Sequence, residues 1–158
     1  MPTPPKIERH PLQPFLPKNA RLLMLGSFPP PIAIFDTAQA VRRLQGNAAD
    51  EHLEIVEQTD IAAILQQLPQ CHDICCTGGK ATETLAEILH TATPKVGEFI
   101  ETTFADRTIR FWRMPSTSRA YPLPFDKKAA AYQRMFKELQ SVRWLSADED
   151  LIISLTRA

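Results

Sequence analysis

The stretch Arg110-Phe-Trp-Arg-Met-Pro-Ser-Thr-Ser-Arg-Ala-Tyr-Pro122 joins an apolar run to a short loop rich in hydroxyl groups. The alternation of apolar residues that ends at Met114 predicts a buried strand. Pro115 has no N–H to donate to a neighbouring strand, so the sheet has to release the chain there. The residues that follow at the carboxyl end of the strand are Ser116, Thr117, Ser118 and Arg119. Ligands bind at that edge of an open α/β sheet, and hydroxyl groups beside a guanidinium group suit a phosphate or sugar. A plain polar loop leading to the next helix is the alternative.

Two other short apolar runs, residues 21–25 and 73–77, predict strands of the same sheet. Gly26 follows the first run, and its lack of a Cβ atom would let the backbone come close to a ligand. Gly78 and Gly79 follow the second run and permit a sharp turn into a helix, whose N-terminus favours anions; a purely structural turn is the alternative. Because helices alternate with these strands, we expect an α/β fold with a mainly parallel sheet.

The remaining segments predict helices and a hairpin. A first helix, capped by Thr59 or Asp60 and ending at Pro69, is expected to bury Ile61, Ile64, Leu65 and Leu68. A second, from Lys80 to about His90, is expected to bury Ala81, Leu85, Ile88 and Leu89. A third, with Asp126 as its N-cap, is expected to bury Ala129, Tyr132, Phe136 and Leu139. Residues 98–104 and 108–114 predict a β-hairpin. Residues 37–44 are expected to form one or two helical turns, and residues 53–56 a short strand or loop.

A local inconsistency lies at residues 32–36. This run also has the pattern of a strand, yet only a short, proline-rich loop separates it from the strand at 21–25. A parallel pair needs a crossover of roughly a dozen residues or more. Either these two runs are not parallel neighbours, or one crossover is missing.

Composition indicates one domain. The chain has 158 residues, 44% of them hydrophobic, which suffices for one core. Residues 1–19 form a proline-rich arm, and no role can be assigned to residues 144–158. The three cysteines include no CxxC pair, so neither a disulfide framework nor a metal site is expected. The chain lacks both an eighteen-residue apolar run and the apolar core of a signal peptide, so we expect a cytoplasmic protein without a membrane partner.

The charges are unevenly distributed although the formal net charge is zero. Residues 107–137 contain a single acid, Asp126, and a cluster of basic residues. The basic residues are Arg107, Arg110, Arg113, Arg119, Lys127, Lys128, Arg134 and Lys137. Such a cluster is typical of a surface that binds a polyanion. A solvated helix face is the alternative for its lysines.

Two of the loops described above carry a resemblance to a known family. Leu22-Leu-Met-Leu-Gly-Ser-Phe-Pro-Pro30 and Met114-Pro-Ser-Thr-Ser-Arg119 resemble the first and second motifs of the uracil-DNA glycosylase superfamily. The similarity is greatest to its hypoxanthine (deoxyinosine) and mismatch-specific branch. Between the motifs, Ile74-Cys-Cys-Thr-Gly-Gly-Lys-Ala81 and Gly46-Asn-Ala-Ala-Asp50 are similar to further segments of that branch. The resemblance spans residues from about 9 to 140.

The resemblance implies a three-layer α/β/α sandwich and a monofunctional DNA glycosylase of base excision repair. We expect a monomer that uses neither a cofactor nor a metal. Such an enzyme swings a damaged base out of duplex DNA and hydrolyses its N-glycosidic bond, here at uracil or hypoxanthine. By the same resemblance Gly26 and Ser27 are catalytic candidates, and Phe28, Pro29 and Pro30 border the base. The residues implied to contact DNA are Ser116, Thr117, Ser118, Arg119, Lys127 and Lys128.

The chain departs from the family after its first motif. Relatives have there a substantial segment with an Asn or Asp that positions the attacking water, and this segment is absent here. Asp36 and Asp50 are the nearby acids that could replace the missing group. The resemblance therefore implies an impaired glycosylase. A non-catalytic domain that binds DNA or merely folds is the alternative, and a small nucleotide-binding module is a third, although no Walker or dinucleotide glycine pattern occurs.

Overall fold

The computed structural model describes residues 4–11, 13–16, 18, 22–25, 35–45, 52–118 and 121–141. The strands are β1 (Ile7–Arg9), β2 (Leu22–Leu25), β3 (Ala38–Arg43), β4 (Leu53–Gln58), β5 (Asp73–Thr77), β6 (Phe99–Phe104) and β7 (Arg107–Met114). The helices are α1 (Ile61–Gln67), α2 (Gly79–Leu89) and α3 (Phe125–Ser141). Within these residues the fold is mixed α/β.

The strands form two sheets. The first sheet is antiparallel and has the order β1-β3-β4, whereas the second has the order β2-β5-β7-β6. In the second sheet β2, β5 and β7 are parallel, and β6 is antiparallel to β7. The prediction that the runs at 21–25, 73–77 and 109–114 are neighbours is therefore confirmed. Because these strands point the same way, Leu25, Thr77 and Met114 end at one edge, which we call the carboxyl edge.

Helices pack on both faces of the second sheet. Ile109 and Phe111 of β7 belong to a core that includes buried residues of α1 and α2. Trp112 and Met114 join a separate core with Ala131, Met135 and Leu139 of α3. Alternation along one strand thus supplies both cores, because successive side chains point to opposite faces. Both neighbours of β7 and both cores hold its carboxyl end in place.

Helices α1 and α2 confirm the periodicity read from the sequence. Their predicted inward residues pack in one core: Ile61, Ile64, Leu65, Leu68, Ala81, Leu85, Ile88 and Leu89. The Asp60 carboxylate caps α1 by accepting a hydrogen bond from the Ala63 N–H at 3.0 Å. It thereby satisfies one of the donors that a helix N-terminus leaves open.

Helix α3 differs from the prediction at its start and in its inward face. It begins at Phe125, so Asp126 lies in the first turn and is not the N-cap. Ala129 is exposed. The buried stripe consists of Ala131, Met135 and Leu139, while Tyr132 and Phe136 flank it. The helix is therefore rotated so that its four-residue repeat at 131, 135 and 139 faces the sheet.

Residues 37–44 were expected to be helical, and that prediction is wrong. They contain β3, which pairs with β1 and β4. A register shift in the pairing of β3 with β4 lies at Ala40 and Val41, and both residues are buried. Two consecutive buried residues break the alternation of a regular strand, so the local pattern resembles a helix face. Residues 53–58 form β4, which resolves the open choice between strand and loop.

The connection from β2 to its parallel neighbour in the second sheet is long enough for a crossover. The neighbour of β2 is β5, and the chain between them contains β3, β4 and α1. Residues 26–34, where the inconsistency arose, lie outside the described part of the chain. Phe35 packs in the core with α1 and α2, and β3 belongs to the other sheet. Residues 32–34 of the second run belong to that undescribed part, so the choice between the two alternatives stays a prediction.

The turn of the β6–β7 hairpin holds two residues in a strained, left-handed backbone conformation. Ala105 and Asp106 form its two-residue turn with φ values of 50° and 57°. Turns of this kind prefer Asn-Gly, because a non-glycine residue in the left-handed region costs roughly 1–2 kcal/mol. We expect the double substitution Ala105→Asn and Asp106→Gly to raise the free energy of unfolding by about 1 kcal/mol. Urea titration would measure it. Ala105→Val should lower stability, and an unchanged midpoint for the Asn-Gly variant would contradict the prediction.

Candidate nucleic-acid interface

The hydroxyl-rich loop leaves the second sheet where the sequence predicted. Pro115 is buried, Ser116 is half-buried, and Thr117 and Ser118 are exposed. The Ser116 Oγ accepts a hydrogen bond from the Ser118 N–H at 3.2 Å. The Tyr121 N–H donates to the Ser118 carbonyl at 3.2 Å. The loop therefore makes internal hydrogen bonds while its hydroxyl-bearing tip faces solvent.

Helix α3 holds this loop at two points. The Tyr132 hydroxyl donates to the Pro115 carbonyl at 2.8 Å. The Lys128 Nζ donates to the Ser118 carbonyl at 2.8 Å and lies 5.3 Å from the centre of the Tyr121 ring. Lys127 is the exposed neighbour of Lys128. Of the two lysines predicted to contact DNA, Lys128 is thus already bonded to the loop.

The start of α2 lies beside the same loop. Gly78 has φ 94°, and a Cβ atom placed on it would lie 3.4 Å from the Ser116 Cβ. The Gly78 N–H donates to the Met114 carbonyl at 3.0 Å. The Arg113 guanidinium lies 3.7 Å from where a Gly79 Cβ would stand. The structure thus brings the Gly78–Gly79 turn and the hydroxyl loop together at the carboxyl edge, where Arg113 supplies positive charge.

Asp36, one of the candidate catalytic acids, is engaged inside the protein. Its carboxylate Oδ2 lies 3.1 Å from the His10 Nε2, and the two side chains are 6% and 0% exposed. The His10 ring also packs on Phe35, with ring centres 4.5 Å apart. Thr59 donates its hydroxyl to the Asp36 carbonyl at 2.6 Å. No local pattern in the sequence points to His10, because it lies 26 residues from Asp36 along the chain.

Several predicted site residues lie outside the described part of the chain. They are Gly26, Ser27, Phe28, Pro29, Pro30, Asp50 and Arg119. Among the described candidates, Ser116, Thr117, Ser118, Lys127 and Lys128 lie together at the loop and the start of α3. Asp36 lies apart from these contacts, in the buried pair with His10. Tyr132 also belongs to this interface, because it binds the Pro115 carbonyl. The sequence pattern predicts it only as an inward-facing residue of α3.

The basic cluster read from the sequence does not form one surface. Arg107, at the beginning of β7, donates hydrogen bonds to the carbonyls of Leu65, Leu68 and Cys71 around the end of α1. Arg110 forms an ion pair with Asp73, with Nε and Oδ1 2.7 Å apart. Both arginines are occupied by structural contacts away from the carboxyl end of β7. Of the other described members of the cluster, Arg113 lies beside Gly79 at the carboxyl edge and Lys127 is exposed at the start of α3, while Arg134 and Lys137 are exposed further along that helix.

Burial raises the pKa of four groups in and around the second sheet and α3. It raises the pKa of the Cys71 thiol to about 11 and also raises the pKa values of Cys75 and Cys76. These thiols stay protonated at neutral pH, which makes them poor nucleophiles. Burial likewise raises the pKa of Tyr132, with the nearby Cys75 as a second cause. Its hydroxyl therefore keeps the proton that it donates to the loop.

No protein-family model matches this chain, and none of the curated proteins or solved structures is significantly similar to it. Across the residues that the structure describes, no three His, Cys, Asp or Glu side chains are arranged to hold a metal ion. Within the same residues, every helix is too short or too polar to cross a membrane.

Proposed function

We propose that this chain is a DNA glycosylase-like protein of base excision repair that works in the cytoplasm on duplex DNA with a damaged or mismatched base. In this proposal the helices on both faces of the second sheet form a uracil-DNA glycosylase-like α/β/α sandwich. The single observation that carries the proposal is the shared direction of β2, β5 and β7. Because of it, the two segments that resemble glycosylase motifs leave the sheet from the same edge, as one DNA-binding site requires.

The proposed chemistry is hydrolysis of the N-glycosidic bond of uracil or hypoxanthine. Extrusion of the base costs a few kcal/mol and is least costly at a damaged or mismatched pair. Cleavage then builds negative charge on the leaving base, which donors in the Gly26–Ser27 segment would stabilise. Phe28, Pro29 and Pro30 would border that base. Ser116 to Ser118 would hold phosphates near the lesion, while Arg119 would fill the vacated space.

One observation favours the second candidate, a DNA-binding domain without catalysis. A group that positions the attacking water has to reach that water. The Asp36 carboxylate is 6% exposed and bonded to His10, so it is poorly placed for this task. Asp50 would then be the remaining acid near the first motif. DNA binding through the loop does not depend on either carboxylate.

Duplex binding tests the proposal. We expect Arg119→Ala to weaken binding of a uracil- or hypoxanthine-containing duplex about tenfold, because the side chain that would fill the vacated space is lost together with its positive charge. Fluorescence anisotropy at fixed salt would measure the dissociation constant. Lys137 is exposed in the second half of α3, so Lys137→Ala is the matched control. It should weaken duplex binding much less than Arg119→Ala. Equal affinities of Arg119→Ala and the unchanged protein would show that the loop does not contact DNA.

A further inference from the structure

We infer that Lys128 and Tyr132 are positioning residues: they hold the hydroxyl-rich loop in the shape that contacts DNA, and Lys128 acts through Ser118 instead of pairing directly with a phosphate. The inference rests on the proposed function for its DNA-binding part. It also makes a claim about the loop itself, which can be measured without DNA. We call the two α3 side chains and the carbonyls that they bind the loop tether.

The tether joins one face of α3 to two points of the loop. Lys128 and Tyr132 are four residues apart, so they lie one above the other on the helix surface. Tyr132 binds the Pro115 carbonyl, and Lys128 binds the Ser118 carbonyl, each at 2.8 Å. The three residues between Met114 and Ser118 are therefore fixed at their start and end. Because both acceptors are backbone oxygens, the tether sets the course of the backbone.

The surroundings of the Lys128 ammonium differ from those expected of a lysine that binds phosphate. Its Nζ has the Ser118 carbonyl on one side and the Tyr121 ring on another, at 5.3 Å from the ring centre. A cation over an aromatic ring is attracted to the ring face, which adds to the charged hydrogen bond. Lys128 is half-buried, whereas Lys127 is exposed. The geometry thus gives the adjacent lysines different roles: Lys128 supports the loop, and Lys127 is available to a phosphate.

Preorganisation explains how such a tether would affect binding. A loop that has to become ordered in the complex loses conformational entropy on binding, which weakens the affinity. Here two hydrogen bonds from α3 hold the loop without any contribution from DNA. Loss of either tether bond should therefore weaken DNA binding without removing a contact to DNA. The Tyr132 hydroxyl can serve in this way over the whole neutral range, because burial raises its pKa.

The test compares loop order with the salt dependence of binding in four variants: Lys128→Met, Lys128→Arg, Tyr132→Phe and Lys127→Met. Loop order is measured without DNA, by hydrogen exchange of the amides of Ser118 and Tyr121, which donate hydrogen bonds inside the loop. Duplex affinity is measured by anisotropy at several salt concentrations. Each phosphate contact that is lost lowers the slope of log affinity against log salt by about 0.9.

We expect faster exchange of both amides in Lys128→Met and Tyr132→Phe, with affinity about tenfold weaker and the salt slope unchanged. Lys128→Arg keeps a charged donor and should retain most of the affinity. Lys127→Met should lower the salt slope by about 0.9 and leave exchange unchanged. Tyr132→Phe removes a single oxygen atom, so it tests the tether even if Lys128→Met is less stable overall.

Two results would overturn the inference. One is unchanged exchange in both Lys128→Met and Tyr132→Phe, because the loop would then not depend on the tether. The other is a salt slope that falls in Lys128→Met as much as in Lys127→Met, which would make Lys128 a direct phosphate contact. Hydrogen exchange could accelerate in Lys128→Met and Tyr132→Phe as expected while the wild-type protein binds no duplex. That result would support the tether and show that the proposed function is wrong.

Discussion

The purified protein is expected to release uracil or hypoxanthine from duplex DNA very slowly or not at all. A positioned general base contributes typically about 10² to 10⁴ in rate. Under the proposed function, the segment that carries this base in the glycosylase family has no counterpart after Pro30. Asp36 does not compensate, because its carboxylate is buried against His10. A single-turnover assay on duplexes with one uracil or hypoxanthine, followed by alkali to cut abasic sites, would measure the rate.

The controls separate lost chemistry from lost folding. Asp36→Asn keeps a polar group beside His10, whereas Asp36→Ala leaves that buried side chain without this partner, so circular dichroism should accompany both variants. Robust cleavage that disappears in Asp36→Ala or Asp50→Ala would contradict the prediction and name the catalytic group. Cleavage that appears only after the corresponding segment of a uracil-DNA glycosylase is inserted behind Pro30 would support the proposed function and show that this chain lacks the water-positioning piece.

The largest expected loss of stability follows substitution of Asp73. Its carboxylate, 5% exposed, pairs with the Arg110 guanidinium and accepts a hydrogen bond from the Trp112 indole N–H at 2.9 Å. Arg110 itself is 17% exposed and lies 5.4 Å from the centre of the Phe99 ring. Asp73→Ala leaves a largely buried cation and a buried N–H without their acceptor, which should cost about 3–5 kcal/mol.

Urea unfolding of Asp73→Ala would measure this loss. Asp73→Asn should cost less, because its amide oxygen can still accept from Trp112. The matched control is Glu83→Ala, which removes an exposed carboxylate on α2 and should change the free energy of unfolding by no more than about 0.5 kcal/mol. In the double variant Asp73→Ala/Arg110→Ala the two losses should not add, since the unpaired cation is gone. A loss below about 1 kcal/mol for Asp73→Ala would show that the buried pair is of little importance.

The strands of the second sheet and the first two helices follow from local patterns. Continuous apolar runs and helical spacing depend on which face of an element is buried, and neighbouring residues report this directly. The runs at 73–77 and 61–68 were therefore predicted nearly to the residue. Pro115 likewise marks the end of β7 by its own chemistry, since it has no N–H to donate. The position of the hydroxyl-rich loop at the carboxyl edge was thus predictable.

Other features depend on partners that are distant along the chain. Residues 38–43 become a strand through pairing with β1 and β4, and a register shift hides their alternation. His10 contacts Asp36, which lies 26 residues further along the chain. Arg107 binds the Leu65 carbonyl, 42 residues earlier in the chain. Such contacts leave no spacing in the sequence that periodicity can detect. The amino acids alone placed the hydroxyl-rich loop at the carboxyl edge. Only the fold decided which basic residues are taken up by structural contacts, and that Lys128 binds the loop, because that requires α3 to pack beside the end of β7.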